Sequence, residues 1–81
     1  METRVALIGI IVEKTDCIED LNAVLHSYGN YIVGRMGIPY RPKNVNIISI
    51  AVDAPEEIIN ALSGKIGRLD GISAKTAYSK L

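Results

Sequence analysis

Two acidic residues directly follow apolar segments that have the character of buried strands. Glu13 comes after the run at residues 5–12, and Asp53 comes after the run at residues 45–52. We expect these two strands to lie adjacent and parallel, which would bring the carboxylates together beside two helix starts. Such a pair could serve acid–base chemistry, and the helix N–H groups there could hold a small anion. Helix capping is the favoured interpretation, because no histidine or nucleophile accompanies the two acids.

A second candidate region, residues 31–44, carries cations and no acidic residue. Its charged and aromatic members are Tyr31, Arg35, Tyr40, Arg41 and Lys43. This composition suits an anion, a nucleic acid or a protein partner. It is equally typical of an edge hairpin that charge and proline protect against aggregation. The two interpretations stand level.

The candidate ligand-binding residues are Arg35, Tyr40, Arg41, Glu13 and Asp53. Cys17 and His26 are the only soft metal ligands, and a structural zinc site normally needs four. On one helix their spacing gives about 13 Å of rise and opposite faces, so the pair of one protomer cannot share an ion, and a site shared across subunits is the less favoured alternative. We therefore predict no metal, no cofactor, no catalytic residue and no enzymatic activity.

Composition restricts the class of protein. The chain has 81 residues, of which 48% are hydrophobic, and this allows one domain spanning residues 1–81. Nine basic residues balance nine acidic ones, which removes the broad positive field of a non-specific nucleic-acid binder. The apolar run at residues 5–12 is far shorter than the roughly 20 residues of a membrane span. The lone cysteine and the absence of a signal-peptide pattern predict a cytoplasmic protein without membrane contact.

Apolar periodicity predicts the elements that must position these residues. Strands are expected at residues 5–12, 31–37, 45–52 and 71–78. A first helix follows Asp16, which stands at capping-box spacing from Glu19, and ends at Gly29. A loop with two prolines spans residues 38–44, and a second helix starts at residues 53–56 and stops near Gly67.

The resulting βαββαβ order predicts an α+β, ferredoxin-like sandwich. Its four-stranded antiparallel sheet carries two helices on one face. Residues 5–12 and 45–52 are nevertheless apolar on both alternating faces. Such β-branched strands can simply look apolar on both sides, but a chain this small is marginally stable alone. We therefore favour a homo-oligomer, a dimer or a tetramer, that covers the second face.

The sequence also resembles the iron-only hydrogenase system regulator family. The resemblance covers essentially the whole chain and is carried by residues 31–40, 45–52 and 61–67, most specifically by the run Gly34-Arg35-Met36-Gly37-Ile38-Pro39-Tyr40. The family is similar in fold to ACT-like regulatory domains and to the ligand-binding, tetramerising domain of the nickel-responsive repressor. That repressor uses several histidines and a cysteine, whereas this chain offers His26 and Cys17. ACT domains usually place a glycine where residues 13–16 stand.

The resemblance implies a small homo-oligomeric, effector-binding module of transcription regulation in the hydrogenase system. No DNA-binding segment is expected before Val5, so nucleic acid would be reached through a partner. The alternative is a direct nucleic-acid binder that uses Arg35, Tyr40, Arg41 and Lys43. An enzyme using Glu13 and Asp53 is the least favoured hypothesis.

Overall fold

The computed structural model describes residues 2–80, apart from the side chain of Thr15. In chain order the elements are β1 (Arg4–Val12), α1 (Ile18–Ser27), β2 (Ile32–Tyr40), β3 (Val45–Ala54), α2 (Glu56–Gly67) and β4 (Ile72–Tyr78). The four strands form one antiparallel sheet in the order β2-β3-β1-β4. This confirms the predicted ferredoxin-like α+β fold.

The two helices bury one face of the sheet. Along β1, Ala6, Ile8, Ile10 and Val12 are each no more than 2% exposed, in strict alternation with exposed or half-buried neighbours. The same face of β3, the inner sides of the helices and the start of β4 complete the core with Ile48, Ile50, Val52, Ala54, Leu21, Leu25, Ile59, Leu62, Ile66 and Ile72. Ile18, Tyr28 and Ile58 lie at the margin of this core.

The turn into β4 depends on a glycine. Gly71 has a φ of 75°, in the left-handed region, and its carbonyl accepts a hydrogen bond of 2.7 Å from the Glu13 N–H. A Cβ at this position would lie 2.6 Å from Cβ of Lys14. The Lys14 ammonium in turn binds the Asp70 carboxylate at 2.9 Å. This hydrogen bond and its charge attraction raise the pKa of Lys14 and lower the pKa of Asp70.

The structure corrects the predicted helix caps, the predicted end of α1 and the predicted loop. Neither helix has a side-chain cap: Cys17 and Pro55 occupy the N-cap positions, so Asp16 and Glu19 form no capping box. Gly29 does not end α1 in the left-handed region but begins a short 3₁₀ turn. The predicted loop at residues 38–44 is shorter, because β2 continues to Tyr40. Pro39 is tolerated there since β2 is an edge strand.

We predict that Gly71→Ala lowers the free energy of unfolding by about 2 kcal/mol. The left-handed conformation alone costs a non-glycine residue roughly 1–2 kcal/mol, and contact with Lys14 adds to it. Gly67→Ala is the matched control, because a Cβ there meets nothing within 4 Å and φ is not positive. Denaturant unfolding measures both variants, and equal stabilities would contradict the prediction.

Ile59→Ala should cost about 2–5 kcal/mol, as expected when a fully buried isoleucine is truncated. Ile59 is 0% exposed, whereas its neighbour Ile58 is only partly buried. Ile58→Ala removes the same atoms from the same helix and should cost clearly less. Chemical denaturation measures both variants, provided that the dependence of the unfolding free energy on denaturant concentration stays the same. A larger loss of stability in Ile58→Ala than in Ile59→Ala would show that α2 packs with a different face.

Candidate functional site

The sheet face opposite the helices is uncovered and apolar. Seven large apolar side chains remain exposed within residues 2–80, and the strand register places six of them on this face. These six are Val5, Leu7, Met36, Ile38, Tyr40 and Ile47. We call this surface the open face. Its paired strand positions carry just two charged side chains in the described chain, Asp53 and Lys75.

Depressions mark the centre of the open face. One, of about 350 Å³, lies around Gly9 and is bordered by Ile11, Ile47 and Lys75. Another, of about 300 Å³, lies between Leu7 and Met36. Gly9 pairs with Ser49 on one side and Lys75 on the other, and a Cβ on Gly9 would approach only the Lys75 carbonyl, at 3.9 Å. The face thus has room for side chains from another surface.

The structure separates Glu13 from Asp53. The predicted adjacency of β1 and β3 is correct, but their parallel direction is wrong: Val5 pairs with Asp53, and Val12 pairs with Asn46. The crossover through α1 sets β2 parallel to β1, and the following hairpin reverses β3. The two acids therefore lie roughly 26 Å apart along the sheet. Asp53 does not cap α2 either, since Pro55 is the N-cap.

The predicted ligand-binding residues of the basic region at residues 31–44, which we call the basic hairpin, do not come together at one site. Arg35 pairs with Ile50 and lies on the helix side, whereas Tyr40 pairs with Val45 and lies on the open face. Along an extended strand they are roughly 16 Å apart. Arg41 follows in the turn and shares a shallow depression of about 160 Å³ with Tyr40. Arg35 is thus separated from the other two predicted ligand-binding residues.

Arg35 instead borders a groove between α1 and β2. This groove, which we call the α1–β2 groove, measures about 460 Å³ and is lined by Asn22, Leu25, His26, Gly29, Ile32 and Arg35. Arg35 Nη2 donates to Oδ1 of Asn22 at 3.4 Å. Asn22 and His26 are exposed on the flank of α1 that faces β2. A polar stripe of Glu19, Asn22 and His26 marks this flank of α1 in the sequence, but it does not show which element the flank faces.

The other polar clusters hold elements together. Arg4 bridges to Glu56 of α2 at 2.6 Å, lies 4.3 Å above the Tyr78 ring and donates to the Ser79 carbonyl. Tyr78 donates to Asn60. Residues 2–80 contain no cluster of three or more potential metal ligands, and neither α1 nor α2 is long and apolar enough to cross a membrane.

Comparisons with known proteins agree with this fold. The structure is similar to that of the uncharacterized protein TM1266 from Thermotoga maritima, with a TM-score of 0.93 and 32% identity over 98% of this chain and 100% of that one. A formyltetrahydrofolate deformylase from Pseudomonas putida KT2440 shares the fold alone, with a TM-score of 0.64 and 10% identity, over 90% of this chain and 28% of that one. No curated protein sequence matches the chain.

A family model accounts for residues 4–76, from the first strand into the last. Those residues include the open face and all six residues that line the α1–β2 groove. The chain therefore belongs to the TM1266-like family, which is described as an iron-only hydrogenase system regulator.

Proposed function

We propose that the protein is a homo-oligomeric, effector-binding regulatory module of the iron-only hydrogenase system, without catalytic chemistry of its own. Membership of the regulator family supports the regulatory role. The open face supports the oligomer and is the observation that carries the proposal. The separation of Glu13 from Asp53 removes the acid–base pair on which an enzymatic hypothesis would rest.

The open face is large enough for a stable interface. Four strands spaced by about 4.8 Å and roughly eight residues long cover about 500 Å² on each copy. Two copies packed face to face would bury about 1,000 Å² in total, without counting the extra surface of projecting side chains. This area reaches the lower size limit of specific interfaces. Leu7 and Val5 are 51% and 53% exposed, so this packing would remove large apolar surfaces from water.

A second copy is the occupant that fits this face. Its apolar side chains and its central depressions lie on one surface. In an isologous two-fold contact the side chains of each copy can therefore fill the depressions of the other. Asp53 and Lys75, the charges at its paired strand positions, give zero net charge, and this suits self-association better than a charged partner.

Regulation through a protein partner is favoured over direct nucleic-acid binding. The formal net charge of the chain is zero, and Arg35 lies on the opposite side of the sheet from Tyr40. A phosphate backbone needs cations that converge along one path. The hairpin residues do not provide one.

We predict that Leu7→Lys lowers the oligomeric mass measured by light scattering at high micromolar concentration. The substitution places a charge at the centre of the proposed contact, where it would be desolvated. Ala23→Lys adds the same charge on the exposed side of α1 and should leave the mass unchanged. A folded wild-type protein that stays a single copy at this concentration would overturn the oligomer.

Gly9→Val should also reduce association while it preserves the fold. The nearest atom to an added Cβ is the Lys75 carbonyl oxygen, at 3.9 Å, and valine favours a strand more than glycine does. Sedimentation and thermal unfolding together distinguish the cases. An unchanged oligomer with higher thermal stability would show that the centre of the open face is solvent-exposed in solution.

The regulatory role is tested in a native host that carries an iron-only hydrogenase. Loss of the gene should change hydrogenase transcript level and activity, and the wild-type gene should restore them. The Leu7→Lys variant should fail to restore them, whereas Ala23→Lys should succeed. Hydrogenase levels that are identical with and without the gene would contradict the role.

A further inference from the structure

The α1–β2 groove combines an apolar floor with a polar rim. Leu25 is 3% exposed and Ile32 is partly buried, and together they form the floor. Asn22, His26 and Arg35 are exposed and form the rim. A volume of about 460 Å³ lies within the range of small-molecule sites. An apolar pocket with a few polar groups at one side orients an amphipathic ligand.

The charge of Arg35 is not neutralised within the described chain. Ion pairs in residues 2–80 join Arg4 to Glu56 and Lys14 to Asp70, and neither involves Arg35. Its hydrogen bond goes to the neutral amide of Asn22 and is long, at 3.4 Å. A guanidinium has five N–H donors in a planar fork that matches a carboxylate. Most of this fork is therefore available to a ligand.

The surrounding charges fix where an anion can sit. Glu19 lies one turn before Asn22 on the same flank of α1 but does not line the groove. The C-terminal end of α1, near Gly29, carries the negative end of the helix dipole and disfavours an anion there. The anionic group must therefore lie at the Arg35 end, while an apolar body extends over Leu25 and Ile32. His26 contributes an imidazole N–H in either protonation state.

We propose that the α1–β2 groove is the effector site and that it takes a small carboxylate with a short aliphatic body. The proposal rests on the effector-binding role proposed above. Arg35 binds the carboxylate, Asn22 positions the guanidinium, and the floor covers the aliphatic chain. Inorganic phosphate fits less well, because it offers nothing to the apolar floor.

The experiment titrates ¹⁵N-labelled full-length protein with acetate, butyrate and valerate, and with butyramide and inorganic phosphate. Amide shifts should map to the groove, and the affinity should rise with chain length by up to about fourfold per methylene. Butyramide should bind at least about tenfold more weakly than butyrate, because it lacks the charge that pairs with Arg35. Equal binding of amide and acid, or tighter binding of phosphate, would overturn the ligand class.

Matched variants locate the site. Arg35→Ala should weaken butyrate binding by about tenfold or more, whereas Arg41→Ala, a cation of the same hairpin outside the groove, should not. Gly29→Val adds a side chain to the lining of the groove, at a position where no atom lies within 4 Å of the added Cβ. This substitution should weaken the binding of valerate more than the binding of acetate. An effect of Arg41→Ala equal to that of Arg35→Ala would reject the groove.

The mass of the unliganded protein separates this proposal from the proposed function. An oligomer that binds none of the carboxylates rejects the groove and leaves the oligomeric module standing. A single copy that binds butyrate through Arg35 supports the groove and rejects the oligomer. Arg35→Ala should keep the wild-type mass, because Arg35 lies on the helix side of the sheet.

Discussion

The burial of β1 and β3 is the constraint on which the rest of the structure depends. These central strands carry apolar side chains on both faces, and two helices suffice to cover one of them. On the covered face the large apolar side chains of β1 and β3 are withdrawn from water. On the other, Leu7 and Ile47 remain exposed in the middle of the sheet. A domain of this size has little stability to spare, so the uncovered apolar surface favours association over isolation.

Continuous apolar runs predicted the strands, apolar residues at helical spacing predicted the helices, and the order of these elements predicted the fold. Ala6, Ile8 and Ile10 alternate with exposed neighbours as a strand between two environments requires. The pattern contains no information on strand direction, and this is why β1 and β3 were expected to run parallel. Direction follows from the chain path, because the crossover through α1 keeps the strand direction and the β2–β3 hairpin reverses it. Once β3 is reversed, Glu13 and Asp53 move to opposite ends of the sheet.

Local rules failed where tertiary contacts supplied an alternative. Asp16 and Glu19 have the spacing of a capping box, yet a 3₁₀ turn precedes α1 and Cys17 takes the N-cap position. Pro39 suggested a loop, but the outer edge of β2 needs no N–H donor, so the strand continues. The α1–β2 groove was hidden for a related reason. Asn22 and Arg35 are 13 residues apart, and nothing in a sequence says which helix flank faces the edge strand.

The edge strand β2 connects the two surfaces proposed here. Its Met36 and Ile38 point to the open face, and its Arg35 points to the groove on the other side. β2 contacts the sheet along β3 only, and the pairing is irregular between Ile32 and Gly34. A strand held on one side is easier to displace than a central one. A ligand that prefers one position of β2 must therefore shift association at the open face, and by linkage association must shift ligand affinity by the same factor.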